Sequence, residues 1–213
     1  MGYTGRRPLY GLDIETDTSD DGLDPGVARV VAVAVSSEAG GDVVLTGSEG
    51  GVLAALDAHL GDLEPGVVVT WNGGAFDLPF LAARAAVVGV PLGLELAWDP
   101  AAYRLGRAPL PGSLGVYAAC WYGHGHLDAY RAWRAVGLAS TDEPCGLKAV
   151  ARTEGLDAVE VSDISQLHAV PVGELRRYVA SDAALARQLA EHHWSQLRRC
   201  VDRLPPGGQL ALG

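Results

Sequence analysis

The segment Leu12-Asp13-Ile14-Glu15-Thr16 carries two carboxylates two residues apart, at the end of a stretch, Pro8 to Thr16, that reads as a β-strand. Alternation along a strand sets Asp13 and Glu15 on one face. Carboxylates this close repel each other unless a cation lies between them, and hard oxygen ligands suit Mg²⁺ or Mn²⁺. By itself the pattern also fits a solvent-facing acidic strand end. A third acid, Asp77, follows Thr70-Trp71-Asn72-Gly73-Gly74-Ala75-Phe76, where a Val-rich strand passes through a Gly-Gly turn into the first turn of a helix. An acid there complements the helix dipole whether or not it binds anything. The flanking Asn72 and Phe76 add an amide able to bond sugar or phosphate and a ring able to pack on a base. Within Tyr178-Val179-Ala180-Ser181-Asp182 a spacing of four puts a phenol and a carboxylate on one helical face. The bland alternative is a core ring beside a surface acid.

These residues depend on an alternation of strands and helices. Arg29 to Ser37 is rich in Val and reads as a buried strand, separated from the first by a turn-rich stretch, Thr18 to Gly26. Asp42 to Thr46 reads as a third strand, Glu49 to Leu60 as a helix, Val67 to Trp71 as a fourth strand and Phe76 to Val88 as a helix whose face holds Phe76, Phe80, Leu81, Arg84 and Val87. Between Val90 and Thr141 the pattern loosens under prolines and glycines, and short elements are expected. Gly146 to Thr153 resumes as a helix, and Gly173 to Val201 reads as one long helix, being free of internal Gly and Pro. Strand, strand, strand, helix, strand, helix is an α/β order.

The chain has 213 residues and is 48% apolar, enough for one sizeable core, so a single domain over 1–213 is expected, with a core of about 8–201 and a flexible tail over 204–213. The polar start and the lack of a long apolar run point to a soluble, cytoplasmic protein without a membrane partner. Cys120, Cys145 and Cys200 have no CxxC spacing and suggest neither a disulfide framework nor a zinc site. A net charge of −10 argues against a broad basic surface for long nucleic acid. Every cationic residue except Lys148 is arginine, the better bidentate phosphate binder, so a small phosphate site stays open. His124 and His126 read as ordinary hydrogen-bonding residues of a Gly-rich loop, and Asp128 as a helix cap or a shaper of the site. Trp71, Trp121 and Tyr122 are stacking candidates with core packing as the alternative. Arg176 and Arg177 could reach phosphate or simply solvate their helix.

In order, DxE on a strand, NxxxFD at a strand–helix junction and YxxxD on a C-terminal helix resemble the three motifs of the DEDD exonuclease superfamily. The tyrosine branch, DEDDy, is indicated, because the histidine branch would carry His where Arg177 stands and Tyr178 occupies the tyrosine position. That branch includes the proofreading exonuclease domains of B-family DNA polymerases. The segments His126-Leu127-Asp128-Ala129-Tyr130 and Leu147-Lys148-Ala149-Val150-Ala151 add weaker likenesses, and the resemblance runs from about Pro8 to Arg199. It implies a ribonuclease H-like mixed sheet with three antiparallel first strands and helices on both faces. It also implies hydrolysis of phosphodiester bonds from the 3′ end of single-stranded nucleic acid, DNA favoured over RNA, with two Mg²⁺ or Mn²⁺ ions. By resemblance Asp13 would bridge both metals, Glu15 and Asp182 would hold the one carrying the attacking water, Asp77 would support the other, and Tyr178 would place that water. Thr16, Asn72 and Phe76 would touch substrate. The chain is too short to hold a polymerase domain besides, which suggests a free-standing nuclease, with or without a protein partner. An exoribonuclease or small-oligonucleotide nuclease, and a silent ribonuclease H-like binding module, are the alternatives.

Overall fold

A computed structural model describes residues 7–99, 115–139, 145–161 and 169–202. Three strands come first, β1 (Leu9–Thr16), β2 (Val30–Ser37) and β3 (Gly41–Thr46), then α1 (Glu49–Asp62), β4 (Val67–Thr70) and α2 (Asp77–Val88). After these come β5 (Leu94–Trp98), β6 (Tyr117–Trp121), β7 (His124–Asp128), α3 (Ala129–Ala135), α4 (Leu147–Thr153), α5 (Val172–His192) and α6 (Trp194–Leu197). The strands form one sheet in the order β3-β2-β1-β4-β7-β6-β5. β1, β2 and β3 pair antiparallel, β1–β4 and β4–β7 pair parallel, and β7–β6 and β6–β5 pair antiparallel. The expected mixed sheet with antiparallel first strands is therefore present.

Side-chain alternation splits the core into two layers. Tyr10, Leu12 and Ile14 of β1 pack with Val52, Leu53 and Leu56 of α1 and with Leu78 and Leu81 of α2. On the opposite face, Leu9 with Val67 and Val69 of β4 meets Ala186 and Leu189 of α5, while Ala32 and Ala34 of β2 meet Tyr178, Val179 and Ala183. Helices thus cover both faces, as expected. α5 lies very close to β1, since a Cβ on Gly11 would stand 1.9 Å from the Ala183 carbonyl oxygen. The acids of β1 follow on this same face, one and two strand repeats beyond Gly11.

Three local expectations need correction. The short elements expected over Val90 to Thr141 are, among the described residues, β5, β6, β7 and α3, but His124 and His126 lie in β7 instead of a loop. The helix expected over Gly173 to Val201 breaks at His193, which has φ −109° and ψ 19°. There the imidazole bonds Glu154 at 2.9 Å and meets the Trp133 ring at 4.6 Å, contacts that hold the residue out of helical geometry. Val87, placed on the inner face of α2 by its spacing, is exposed. The tail at 204–213 lies outside the described residues, and among those described no helix is long and apolar enough to cross a membrane.

Candidate active site

Strand β1 and helix α5 bring the first and third motifs together. Register sets Asp13 beside Ala34 and Glu15 beside Ala32, and these fully buried alanines leave room for α5 to settle over the acids. One carboxylate oxygen from each of Asp13, Glu15 and Asp182 lies within 4.8 Å of the others. A β-bulge between Glu15 and Thr16 ends the regular register at the site.

The cluster is electrostatically strained. Burial, with repulsion from Glu15, Asp77 and Asp182, pushes Asp13 well above the usual carboxylate range, and Lys148 opposes this. Burial and the charge of Asp182 push Glu15 up to about 8. Burial raises Asp182 to about 6 against the pull of Lys148. Asp182 Oδ1 is buried and has no hydrogen-bond partner. Buried polar atoms are seldom left so. Three converging carboxylates with an orphaned oxygen fit a hard divalent cation in donor chemistry and spacing.

Asp77 opens α2, as its sequence position implied, but it is buried, not a surface acid answering a dipole. It lies outside the three-carboxylate cluster. Burial and the charge of Asp128 raise it to about 7, while hydrogen bonds from its own backbone and that of Ile14 act the other way, so its carboxylate faces β1. Tyr178 packs its ring on Ala32 and Ala34. Burial, then the charges of Asp182, Glu15 and Asp13, raise its phenol far above the ordinary value, so the metal-free site keeps it protonated.

Of the three substrate candidates, Asn72 sits in the turn before α2 at φ 71°, and Phe76 is half-buried against Phe80, with ring centroids 5.3 Å apart. The hydroxyl of Thr16 donates to Gly22 O at 2.7 Å and so fastens the loop that follows β1.

Two participants were underread in the sequence. Lys148 places Nζ 3.3 Å from Asp182 Oδ2 and 3.5 Å from the centroid of the Tyr178 ring, making it a cation at the heart of the cluster. The signal was available, since it is the sole lysine and falls in one of the weaker motif likenesses. Asp128 does cap α3, accepting the Arg131 N–H at 3.1 Å, and it also accepts the Asn72 and Gly74 N–H groups at 3.1 and 3.2 Å. It therefore shapes the turn carrying Asn72. Other candidates have different partners. Arg176 donates to Thr46 at 3.0 Å, Trp71 Nε1 donates to Cys145 O at 3.1 Å, Trp121 is buried, and the exposed Tyr122 donates to Asp57.

A mixed sheet with the first strands antiparallel and helices on both faces is a ribonuclease H-like fold, and here it carries acids on β1, α2 and α5. The family model for the exonuclease domain of DNA polymerase family B matches residues 13–95. A DNA polymerase of Archaeoglobus fulgidus is 26% identical over 105 residues, covering 49% of this chain and 13% of that protein. The catalytic subunit of DNA polymerase epsilon from Arabidopsis thaliana is 33% identical over 105 residues, covering 49% of this chain and 4% of its own length. The chain thus spans a small part of these relatives. In fold it is similar to the family B DNA polymerase of the hyperthermophilic archaeon Pyrobaculum calidifontis, with a TM-score of 0.69 at 21% identity over 91% of this chain and 25% of that one. The resemblance read from the motifs is borne out: over residues 13–95 the chain is similar to the exonuclease domain of DNA polymerase family B.

Proposed function

We propose that this chain is a 3′–5′ exonuclease of the DEDDy type that requires Mg²⁺ or Mn²⁺ and removes nucleotides from the 3′ ends of single-stranded DNA. The observation that carries this reading is the convergence of Asp13, Glu15 and Asp182 around a buried, unpartnered carboxylate oxygen, with Tyr178 one helical turn away. Asp13, Glu15 and Asp182 would hold one ion, and Asp77, outside their cluster, would support a second. When bound, the ions supply water activation and neutralise charge on the phosphate and the leaving oxygen.

The chain's own side chains position the parts. A phenol kept protonated is suited to orienting a water by hydrogen bonding and is a poor base. Asn72 offers its amide to the terminal nucleotide from a turn held by Asp128, and Phe76 presents an edge to a base while anchoring α2. Thr16, with its hydroxyl engaged, lines the floor through its backbone. A net charge of −10 supports short, single-stranded ends over long duplexes. Thiols at Cys120, Cys145 and Cys200 fit a reducing cytoplasm.

The deciding experiment is Mn²⁺-dependent digestion of 3′- and 5′-labelled single-stranded DNA and RNA in parallel. Mononucleotide release from the 3′ end of DNA, abolished by EDTA and blocked by a 3′ phosphate, is expected. Faster digestion of RNA would reassign the substrate, and undiminished cleavage in excess chelator would overturn the mechanism.

A further inference from the structure

His126 lies in β7, is 1% exposed and stands outside the carboxylate cluster. Its two ring nitrogens are both engaged. Nδ1 is 2.7 Å from Asp202 Oδ2, and Nε2 is 2.8 Å from Thr70 Oγ1. Thr70 Oγ1 in turn accepts the Gly73 N–H at 3.2 Å. Asp202 is fixed from two more directions: its carboxylate accepts the Ala119 N–H at 3.0 Å, and its own N–H donates to His126 O at 2.7 Å.

A carboxylate accepts, so a neutral His126 ring that keeps its proton on Nδ1 toward Asp202 accepts at Nε2 from the Thr70 hydroxyl. The chain therefore runs Gly73 N–H to Thr70, Thr70 O–H to His126, His126 N–H to Asp202, with no buried group left over. Its upper end is the turn of the second motif. The N–H groups flanking Gly73, those of Asn72 and Gly74, go to Asp128, so three successive amides are held by two side chains. Asn72 stands at φ 71°, a region uncommon outside glycine that asparagine enters more readily than most residues, and these bonds hold it there. Gly73 is shaped for the contact, since a Cβ there would stand 2.3 Å from Thr70 Oγ1. Asp77 follows within one turn of chain.

We infer that Thr70, His126 and Asp202 are positioning residues, a directed hydrogen-bond chain that fixes the Asn72–Gly74 turn so that Asn72 meets the substrate and Asp77 is aimed at the acids of β1. The inference rests on the exonuclease reading for its functional half and on geometry alone for its structural half.

The test uses the full chain with Thr70→Val, which keeps the shape and removes the hydroxyl, Thr70→Ser, which restores it, and Asp202→Ala at the far end of the chain of bonds. Amide hydrogen exchange read by mass spectrometry should show exchange at residues 72–74 faster by about 10-fold or more in Thr70→Val and Asp202→Ala, with β2 unchanged and Thr70→Ser close to wild type. Single-turnover cleavage of 3′-labelled DNA at saturating Mn²⁺ should fall by about 10²-fold in Thr70→Val and recover in Thr70→Ser. Wild-type protection at 72–74 in both variants would overturn the inference. So would loss of protection throughout the sheet, which marks a merely structural role, or a loosened turn with full cleavage. Should Thr70→Val fail to fold, Asp202→Ala decides by the same two readings, its side chain being partly exposed. A wild-type chain that digests no 3′ end would defeat the exonuclease reading, and exchange at 72–74 would still decide whether the turn is held as described.

Discussion

Glu49 at the start of α1 and the Asp13–Glu15–Asp182 cluster are both buried carboxylate sites, and their surroundings are built in opposite ways. Glu49 receives the Arg84 guanidinium at 2.8 and 2.6 Å and the Val30 N–H at 2.9 Å, while Arg84 also donates to Pro25 O at 2.8 Å. Burial alone would raise Glu49, but the hydrogen bonds from Arg84 and Val30 outweigh it, and the carboxyl ends below its ordinary value. In the cluster three carboxylates share one lysine, one oxygen has no partner, and the acids sit above their ordinary range. A buried acid that serves the fold is completed by the protein. On the proposed function, the acids of the cluster are left incomplete for a ligand to complete.

Breaking that contrast should give its largest effect at Asp13. Asp13→Ala should abolish cleavage, beyond the roughly 10²–10⁴-fold that one proton-placing side chain is worth. Its melting temperature without metal should be unchanged or slightly higher, because repulsion is relieved, and the metal-induced rise should shrink. A variant that fails to fold would place Asp13 with Glu49 instead. The converse is Arg84→Met, which leaves the Glu49 side chain without its cation and with the Val30 N–H as its remaining described donor. It should lose about 3–5 kcal/mol of stability in denaturant titration while the folded fraction still cleaves.

Tyr178→Phe sharpens the comparison from within the cluster. It removes one hydroxyl and keeps the ring against Ala32 and Ala34, so kcat should fall by about 10²–10⁴-fold with Mn²⁺ affinity and melting temperature nearly constant. Full activity in single-turnover assays would return Tyr178 to the core.

The smallest expected effect is on the pH dependence of metal-free stability. Glu15, Asp77 and Asp182 have folded values of about 8, 7 and 6, above the ordinary 4.5, 3.8 and 3.8. Between these limits the folded chain keeps protons that the unfolded chain has released, so this contribution is fully present below about pH 4 and is lost as pH rises through 6 to 8. Melting without metal should therefore decline across pH 5–8, and saturating Mn²⁺ should flatten the decline. A metal-free stability that climbs over this range would show that the acids are already paired.

Strand alternation and helical spacing are short-range rules, so the pairs Asp13–Glu15 and Tyr178–Asp182 were legible inside single elements, whereas their meeting in one cluster was implied only by the resemblance to the DEDD exonucleases. The first four strands were legible by equally local signals, β2, β3 and β4 being Val-rich and β1 alternating and bounded by turns. The region from β5 to β7 was not: its strands have five residues each, and β5 mixes exposed and buried positions beside prolines. Lys148, Asp128 and His126 reach their roles only through tertiary contacts with distant elements, which local spacing does not encode. The break at His193 belongs with them, since Trp133 and Glu154, far earlier in the chain, impose it.

Gly11 has no side chain to contribute to any list of contacts, yet it sets the caliper width of the candidate active site. Helix α5 rests where a methyl group would otherwise stand, and the distance across which Asp182 faces Asp13 and Glu15 is inherited from that missing atom. An alanine at Gly11 would act as a shim, lifting α5 and widening a cage whose ligands must close on an ion about 2.0–2.1 Å from each oxygen if the ion is Mg²⁺. A screen for lost activity across this chain should therefore find Gly11 among its most sensitive positions, ahead of many residues that the substrate touches.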